Sequence, residues 1–150
     1  MPPLPDYIDN DRYKLEAVLD TIIQAERQTD LDIATGYFRI EAWMRLEQSF
    51  NQLTALRLLI GRDPSILPAE RDRIDLIRYF RRHIQGQLES EPFNSSYKDQ
   101  IDRLIAYLEQ HHIQVRLYGA NGATNAFLHA KAYIFDEYSI VGSSNLTPSG

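Results

Sequence analysis

The sequence predicts an α/β fold with a mixed, mostly parallel sheet flanked by helices. Three observations lead there. Segments with apolar residues at helical spacing alternate with short apolar strand candidates. Two of those strands enclose a helix within about 30 residues, the signature of a βαβ unit with a parallel pair and a right-handed crossover. The last two strand candidates are joined by a tight turn and form a hairpin. At 150 residues the chain has the size of one domain, and 43% apolar residues with dispersed charge mark it as globular.

After a Pro-rich lead over 1–10, Leu15, Val18, Leu19, Ile22 and Ile23 recur on one helical face. "LDIATGYF" (31–38) reads as a strand ending at a glycine. "RIEAWMRLEQSFNQL" (39–53) returns to helical spacing through Trp43, Leu46, Phe50 and Leu53, and "ALRLLIG" (55–61) is the second strand, ended by Gly61 and Pro64. Helices follow over 65–88, starting near Pro68, and over 95–112, where Ser95 or Ser96 serves as N-cap and Ile101, Leu104, Ile105 and Leu108 form the apolar side. A third strand, 113–119, leads through a small-residue loop (120–126) to the strand "FLHAKAYIF" (127–135). A turn at 136–138 and the strand "SIVGS" (139–143) complete the pattern.

Composition narrows the function. With 16 basic and 21 acidic residues the net charge is −5, which argues against coating nucleic acid by charge alone but leaves room for a local basic site. Cysteine is absent, which removes disulfides and thiolate metal sites and suits a reducing cytoplasm, the expected location. The start "MPPLPDYIDNDRYK" has no apolar signal core, and no apolar run approaches a membrane span, so no membrane association is expected.

The chemistry concentrates in "LHAKAYIFDEYSIVGSSN" (128–145). Strand alternation puts His129, Lys131, Tyr133 and Phe135 on one face, and the small apolar Leu128, Ala130, Ala132 and Ile134 on the other, fit to pack under a helix. His129 and Lys131 then lie roughly 6.6 Å apart along the strand. A three-residue loop at 136–138 sets Lys131 opposite Ser143 and His129 opposite Asn145. A two-residue loop shifts the register by one and makes those pairs diagonal. Either way Ser143 and Asn145 come beside the His–Lys pair. Lys131 and Asn145 are donors suited to phosphate oxygens. His129 is the group able to attack phosphorus or shuttle a proton near neutral pH. Gly142 lets backbone approach a ligand.

The ordered set His129-x-Lys131-x4-Asp136-x5-Gly142-Ser143-Ser144-Asn145 resembles the signature of the phospholipase D superfamily of phosphodiesterases. With "ATGYF", "LRLLIGRDP" and "GSSNLTPSG", the chain looks most like the phospholipase D-like domains at the N-terminus of bacterial helicases. The resemblance is sharp over 127–149 and looser over 31–64. It implies that one histidine forms a phosphohistidine while a second protonates the leaving oxygen and then activates water, with no metal and no cofactor. His129 matches the nucleophile or acid, Lys131 and Asn145 the phosphate ligands, and Ser143 a further hydrogen-bonding neighbour. Asp136 matches the motif's acid and, sitting at the turn, is expected to fix the hairpin. Ser144 and Gly142 belong to the same turn, and Arg62 in "GRDP" is a candidate for a phosphate contact.

The chain holds one such motif, and the adjacent His111 and His112 have no lysine two residues on. Catalysis in the family manner therefore requires a homodimer through the motif face, or a second half. The expectation is a single phospholipase D-like domain over 1–150, the N-terminal fragment of a longer protein, with a helicase domain in the same or a partner chain. Its expected function is phosphodiester cleavage in nucleic acid, most readily DNA. The alternatives are a phospholipid phosphodiesterase or transphosphatidylase and a non-catalytic module that docks DNA phosphates. Of the other motifs, "RYFRRH" (78–83) is either a solvated helix face or a backbone-binding strip with an aromatic for stacking. "GYF" (36–38) either lines the cleft or merely ends a strand. His111-His112 reads as an ordinary helix end rather than a metal site.

Overall fold

The computed structural model describes residues 4–9, 12–26, 28–61, 95–118 and 128–143. In chain order these contain α1 (Leu15–Ala25), β1 (Asp30–Thr35), α2 (Ile40–Phe50), β2 (Ala55–Ile60), α3 (Ser95–Leu108), β3 (Ile113–Leu117), β4 (Lys131–Ile134) and β5 (Ser139–Val141). The expected α/β architecture is present. The expected helix over 65–88, the loop over 120–126 and the "RYFRRH" segment lie outside the described residues. Boundaries tighten in several places: β4 starts at Lys131, which leaves His129 ahead of the strand expected over 127–135, and β5 stops at Val141. β1 stops at Thr35, before the glycine, and α3 ends at Leu108, with 109–112 turning into β3 through the Ile113 N–H to Gln110 carbonyl bond (3.0 Å).

The five strands form one sheet in the order β3-β2-β1-β4-β5. β1 and β2 pair in parallel, as do β2 and β3, whereas β4 runs antiparallel to both β1 and β5. β1 and β2 alternate as half-covered strands must: Leu31, Ile33 and Thr35 on β1 and Leu56, Leu58 and Ile60 on β2 are buried, and their neighbours are not. The buried side joins Leu19, Ile22, Trp43, Phe50, Ile101 and Leu104 of the three helices in one core. Between α2 and α3 the Trp43 and Tyr107 rings lie 5.7 Å apart, and the buried Tyr107 hydroxyl donates to the Phe50 carbonyl at 3.1 Å. The opposite side of the sheet carries Asp32 and Arg57, joined by a two-pronged ion pair, and the exposed Arg116.

One sequence expectation is reversed. The side of β4 bearing Ala132 and Ile134 is not the one packed under helices: Ile134 is 48% exposed, while Tyr133 is 1% exposed and Phe135 is buried. The reason is the ladder with β1. Ile33 pairs with Tyr133 and Thr35 with Lys131, so Lys131, Tyr133 and Phe135 inherit the helix-covered side of β1. A large aromatic ring also fills more of the core than alanine does, so the aromatic side buries more apolar area.

Candidate active site

β4 starts at the carboxyl end of β1, because the two are antiparallel and Thr35 faces Lys131. To one side β1 has a parallel neighbour reached by a crossover, and to the other an antiparallel strand from much later in the chain. Such a switch at the carboxyl ends of parallel strands is where open α/β sheets leave a ligand crevice. His129 and Lys131 sit at this point.

Lys131 is 5% exposed, the one buried Lys, Arg, Asp or Glu among the described residues. Its Nζ donates to the His129 carbonyl at 3.0 Å. Among the described residues the ion pairs join Arg45 to Glu16, Arg57 to Asp32 and Arg103 to Glu47, and none involves Lys131. A buried ammonium without a carboxylate is costly. His129 is exposed, on the non-strand stretch 128–130 just ahead of β4, and its own carbonyl anchors the lysine.

The hairpin settles the register left open by the sequence. The Phe135 N–H donates to the Tyr138 carbonyl at 2.8 Å across a two-residue turn, Asp136–Glu137, and Ala132 pairs with Val141, Tyr133 with Ile140 and Ile134 with Ser139. The Gly142 N–H then donates to the Lys131 carbonyl at 3.1 Å. Gly142, not Ser143, therefore lies opposite Lys131, and Ser143 falls across from Ala130. This corrects the expectation that Ser143 joins the His–Lys side by either register: with a two-residue loop, alternation turns it to the other face. Ser143 is exposed past the end of β5, which stops at Val141. Gly142 is exposed, and nothing lies within 4 Å of where a Cβ would project, so the space beside it is open to a ligand.

Asp136 is exposed at the far end of β4, roughly 16 Å from Lys131 along an extended chain. The hairpin there is closed by backbone, through Phe135 and Tyr138. Arg62, Ser144 and Asn145 lie outside the described residues. His111 and His112 occupy the turn after α3 with their rings edge-on, centroids 5.3 Å apart, and the His112 carbonyl accepts the Leu56 N–H. Among the described residues no cluster of His, Cys, Asp and Glu is arranged to hold a metal ion.

Sequence reasoning missed what supports the pair. The Gly61 N–H donates to the Thr35 carbonyl at 2.8 Å, and a Cβ at Gly61 would lie 2.6 Å from the Gly36 carbonyl oxygen and 3.0 Å from that of Leu128. The ends of β1 and β2 and the chain entering His129 thus meet as bare backbone at one point, and the glycine is what permits it. The Thr35 hydroxyl donates to the Tyr37 carbonyl at 2.8 Å, which ties the "GYF" segment to the carboxyl end of β1, with Tyr37 exposed. The signal for these residues was present as a threonine and two glycines at the ends of adjacent parallel strands.

No helix among the described residues is long and apolar enough to cross a membrane. No curated protein matches the chain. The family described as cardiolipin synthase, PLD-like domain, matches residues 18–150. That span holds every described strand, the His129–Lys131 pair and the Gly-Ser turn, and the chain belongs to the phospholipase D-like domain family, whose fold suggests phosphodiester chemistry in general.

Proposed function

We propose that this domain is a metal-independent phosphodiesterase acting on nucleic acid, with His129 as the group that attacks phosphorus or protonates the leaving oxygen. The observation that carries the reading is the buried Lys131 ammonium, without a carboxylate partner among the described residues, beside an exposed histidine at a strand-end crevice. A phosphodiester supplies the missing negative charge. Lys131 holds its non-bridging oxygens and Asn145 adds a neutral donor. His129 bonds to phosphorus as the leaving oxygen departs, giving a phosphohistidine, and water then cleaves that bond to return the imidazole. The leaving oxygen requires a proton from a second histidine, which a second copy of this chain supplies across a dimer. The likeness of "ATGYF" and "LRLLIGRDP" to helicase-associated domains supports a nucleic-acid substrate and a helicase partner in the same or another chain.

The family description favours a second reading, a phospholipid phosphodiesterase or transphosphatidylase, since it names cardiolipin synthase. One assay separates the two. The full-length protein is incubated with single-stranded DNA, duplex DNA and a fluorescent phosphatidylcholine in EDTA. Cleavage of DNA that persists in EDTA and falls at least about 1,000-fold in His129→Ala supports the proposal. Lys131→Met is expected to lose about 100- to 1,000-fold, as for removal of one strong oxyanion donor. Turnover of the lipid alone overturns the nucleic-acid reading in favour of the second. Binding of DNA without turnover favours a docking module. A strictly monomeric full-length protein with one motif makes the two-histidine route untenable.

A further inference from the structure

The buried polar group that the proposed chemistry leaves unused is the hydroxyl of Thr35. It is the last residue of β1, fully buried, and the direct cross-strand neighbour of Lys131 on the covered side of the sheet. Its proton goes to the Tyr37 carbonyl, 2.8 Å away. The Tyr133 hydroxyl, two residues beyond Lys131 on β4, also hydrogen-bonds Thr35. The chain of bonds therefore runs from the Tyr133 phenol through the Thr35 hydroxyl to the Tyr37 carbonyl. It crosses from β4 to β1 to the segment that follows β1, and passes directly beside Lys131.

We propose that Thr35 is a positioning residue for Lys131, its hydroxyl tying β4 and the Tyr37 segment together so that the buried ammonium is held against the His129 carbonyl and presented to a bound anion. Three constraints converge on it. The Thr35 carbonyl is taken by the Gly61 N–H, the hydroxyl by Tyr133 and Tyr37, and the Cα register by Lys131. Burial keeps the Tyr133 phenol protonated well above its ordinary range, so this end of the chain stays neutral at every pH near neutral. Without the Thr35 hydroxyl, the Tyr133 O–H and the Tyr37 carbonyl lose a shared partner in a covered site, and the strand bearing Lys131 is free to shift.

The inference rests on the phosphodiesterase reading for its kinetic consequence, and its test carries a second readout that does not. Thr35→Val keeps the branched shape and removes the hydroxyl, and Thr35→Ser keeps the hydroxyl. With bis(p-nitrophenyl) phosphate as probe and the full-length protein, Thr35→Val is expected to lower kcat about 10- to 100-fold, the scale of a slight misplacement of a reacting group. Thr35→Ser is expected to restore most of it. Tyr133→Phe combined with Thr35→Val is expected to fall no further than Thr35→Val alone, because both remove one chain. The independent readout is the nitrogen-15 signal of the Lys131 side chain, assigned by its loss in Lys131→Met. It should move in Thr35→Val and stay in place in Thr35→Ser. An unchanged kcat and an unmoved signal in Thr35→Val overturn the proposal, as does a serine variant as impaired as the valine one, which makes the role one of packing. A wild-type protein that turns over no diester, yet shows the signal moving in the valine variant alone, removes the phosphodiesterase reading and leaves the positioning role standing.

Discussion

The parallel strands β1, β2 and β3 and the antiparallel hairpin β4–β5 share one sheet but are held by different means. In the parallel half, helices α1, α2 and α3 cover one side, and Leu31, Ile33, Leu56 and Leu58 are buried there. The hairpin joins this sheet through the β1–β4 ladder, and it is mainly Tyr133 and Phe135 that carry that cover onward, with the partly buried Ile140 of β5 at its margin. β5 has three residues, none of them fully buried, and Val141 is 78% exposed. The proposed chemistry sits at the seam, where Lys131 faces Thr35. A rigid scaffold on one side and a less-buried hairpin on the other let a lysine be fixed in place while the histidine ahead of it stays open to solvent.

The comparison breaks most sharply at Tyr133. Tyr133→Ala removes the ring that anchors the hairpin, and is expected to cost about 3–5 kcal/mol in urea unfolding, the range for large buried aromatics. A loss under about 1 kcal/mol would mean that the hairpin contributes little to the core. Next comes Gly61, the meeting point of the β1 and β2 ends. Gly61→Ala drives a Cβ into backbone oxygens of Gly36 and Leu128, and is expected to destabilise by about 1–3 kcal/mol. The matched substitution Gly142→Ala meets open space and should stay within about 0.5 kcal/mol, so unfolding midpoints of the two variants place the crowding on the β1–β2 side.

Alkaline pH probes both regions at once. Burial raises the phenols of Tyr107, in the helical layer, and of Tyr133, at the seam, where it outweighs the Thr35 hydrogen bond acting in the opposite sense. Below the ordinary phenol pKa of about 10 both are protonated in the folded and unfolded chains, and their contribution is complete. Above it the unfolded chain ionises first and binds fewer protons, so stability falls as pH rises toward the folded values, by up to about 1.4 kcal/mol per pH unit for each phenol. Tyr107→Phe and Tyr133→Phe should each remove one share of that slope in urea titrations at successive pH values, and an unchanged slope in either would show that its phenol ionises equally in both states. The smallest effect is expected at the free end of the hairpin. Val141→Thr on the exposed side of β5 should leave the unfolding midpoint within about 0.5 kcal/mol, and a larger loss would show that this side is covered in solution.

The described helices were legible from spacing alone. Leu15, Val18, Leu19, Ile22 and Ile23 fall on the buried side of α1, and Trp43, Leu46 and Phe50 on that of α2, because a helix repeats at a period that apolar residues reveal. The His–Lys pair was legible as well, since the two residues are two apart in one strand-like segment. The hairpin register was not: a loop of two or three residues leaves the same sequence, yet the choice decides whether Ser143 or Gly142 faces Lys131.

The sequence by itself determined the alternation of helices and strands, the residues able to handle a phosphate, and the family to which they belong, because each depends on local period and residue type. Tertiary pairing decided the rest. Which side of β4 is buried followed from Ile33 facing Tyr133 across β1, and not from the hydrophobicity of β4 itself. The burial of Lys131, the hydroxyl bridge from Tyr133 through Thr35 to Tyr37, and the backbone junction at Gly61 each join residues far apart in the chain. Side-chain period says that a strand has two faces, and only the neighbouring strand and the helices packed on it say which of them is the inside.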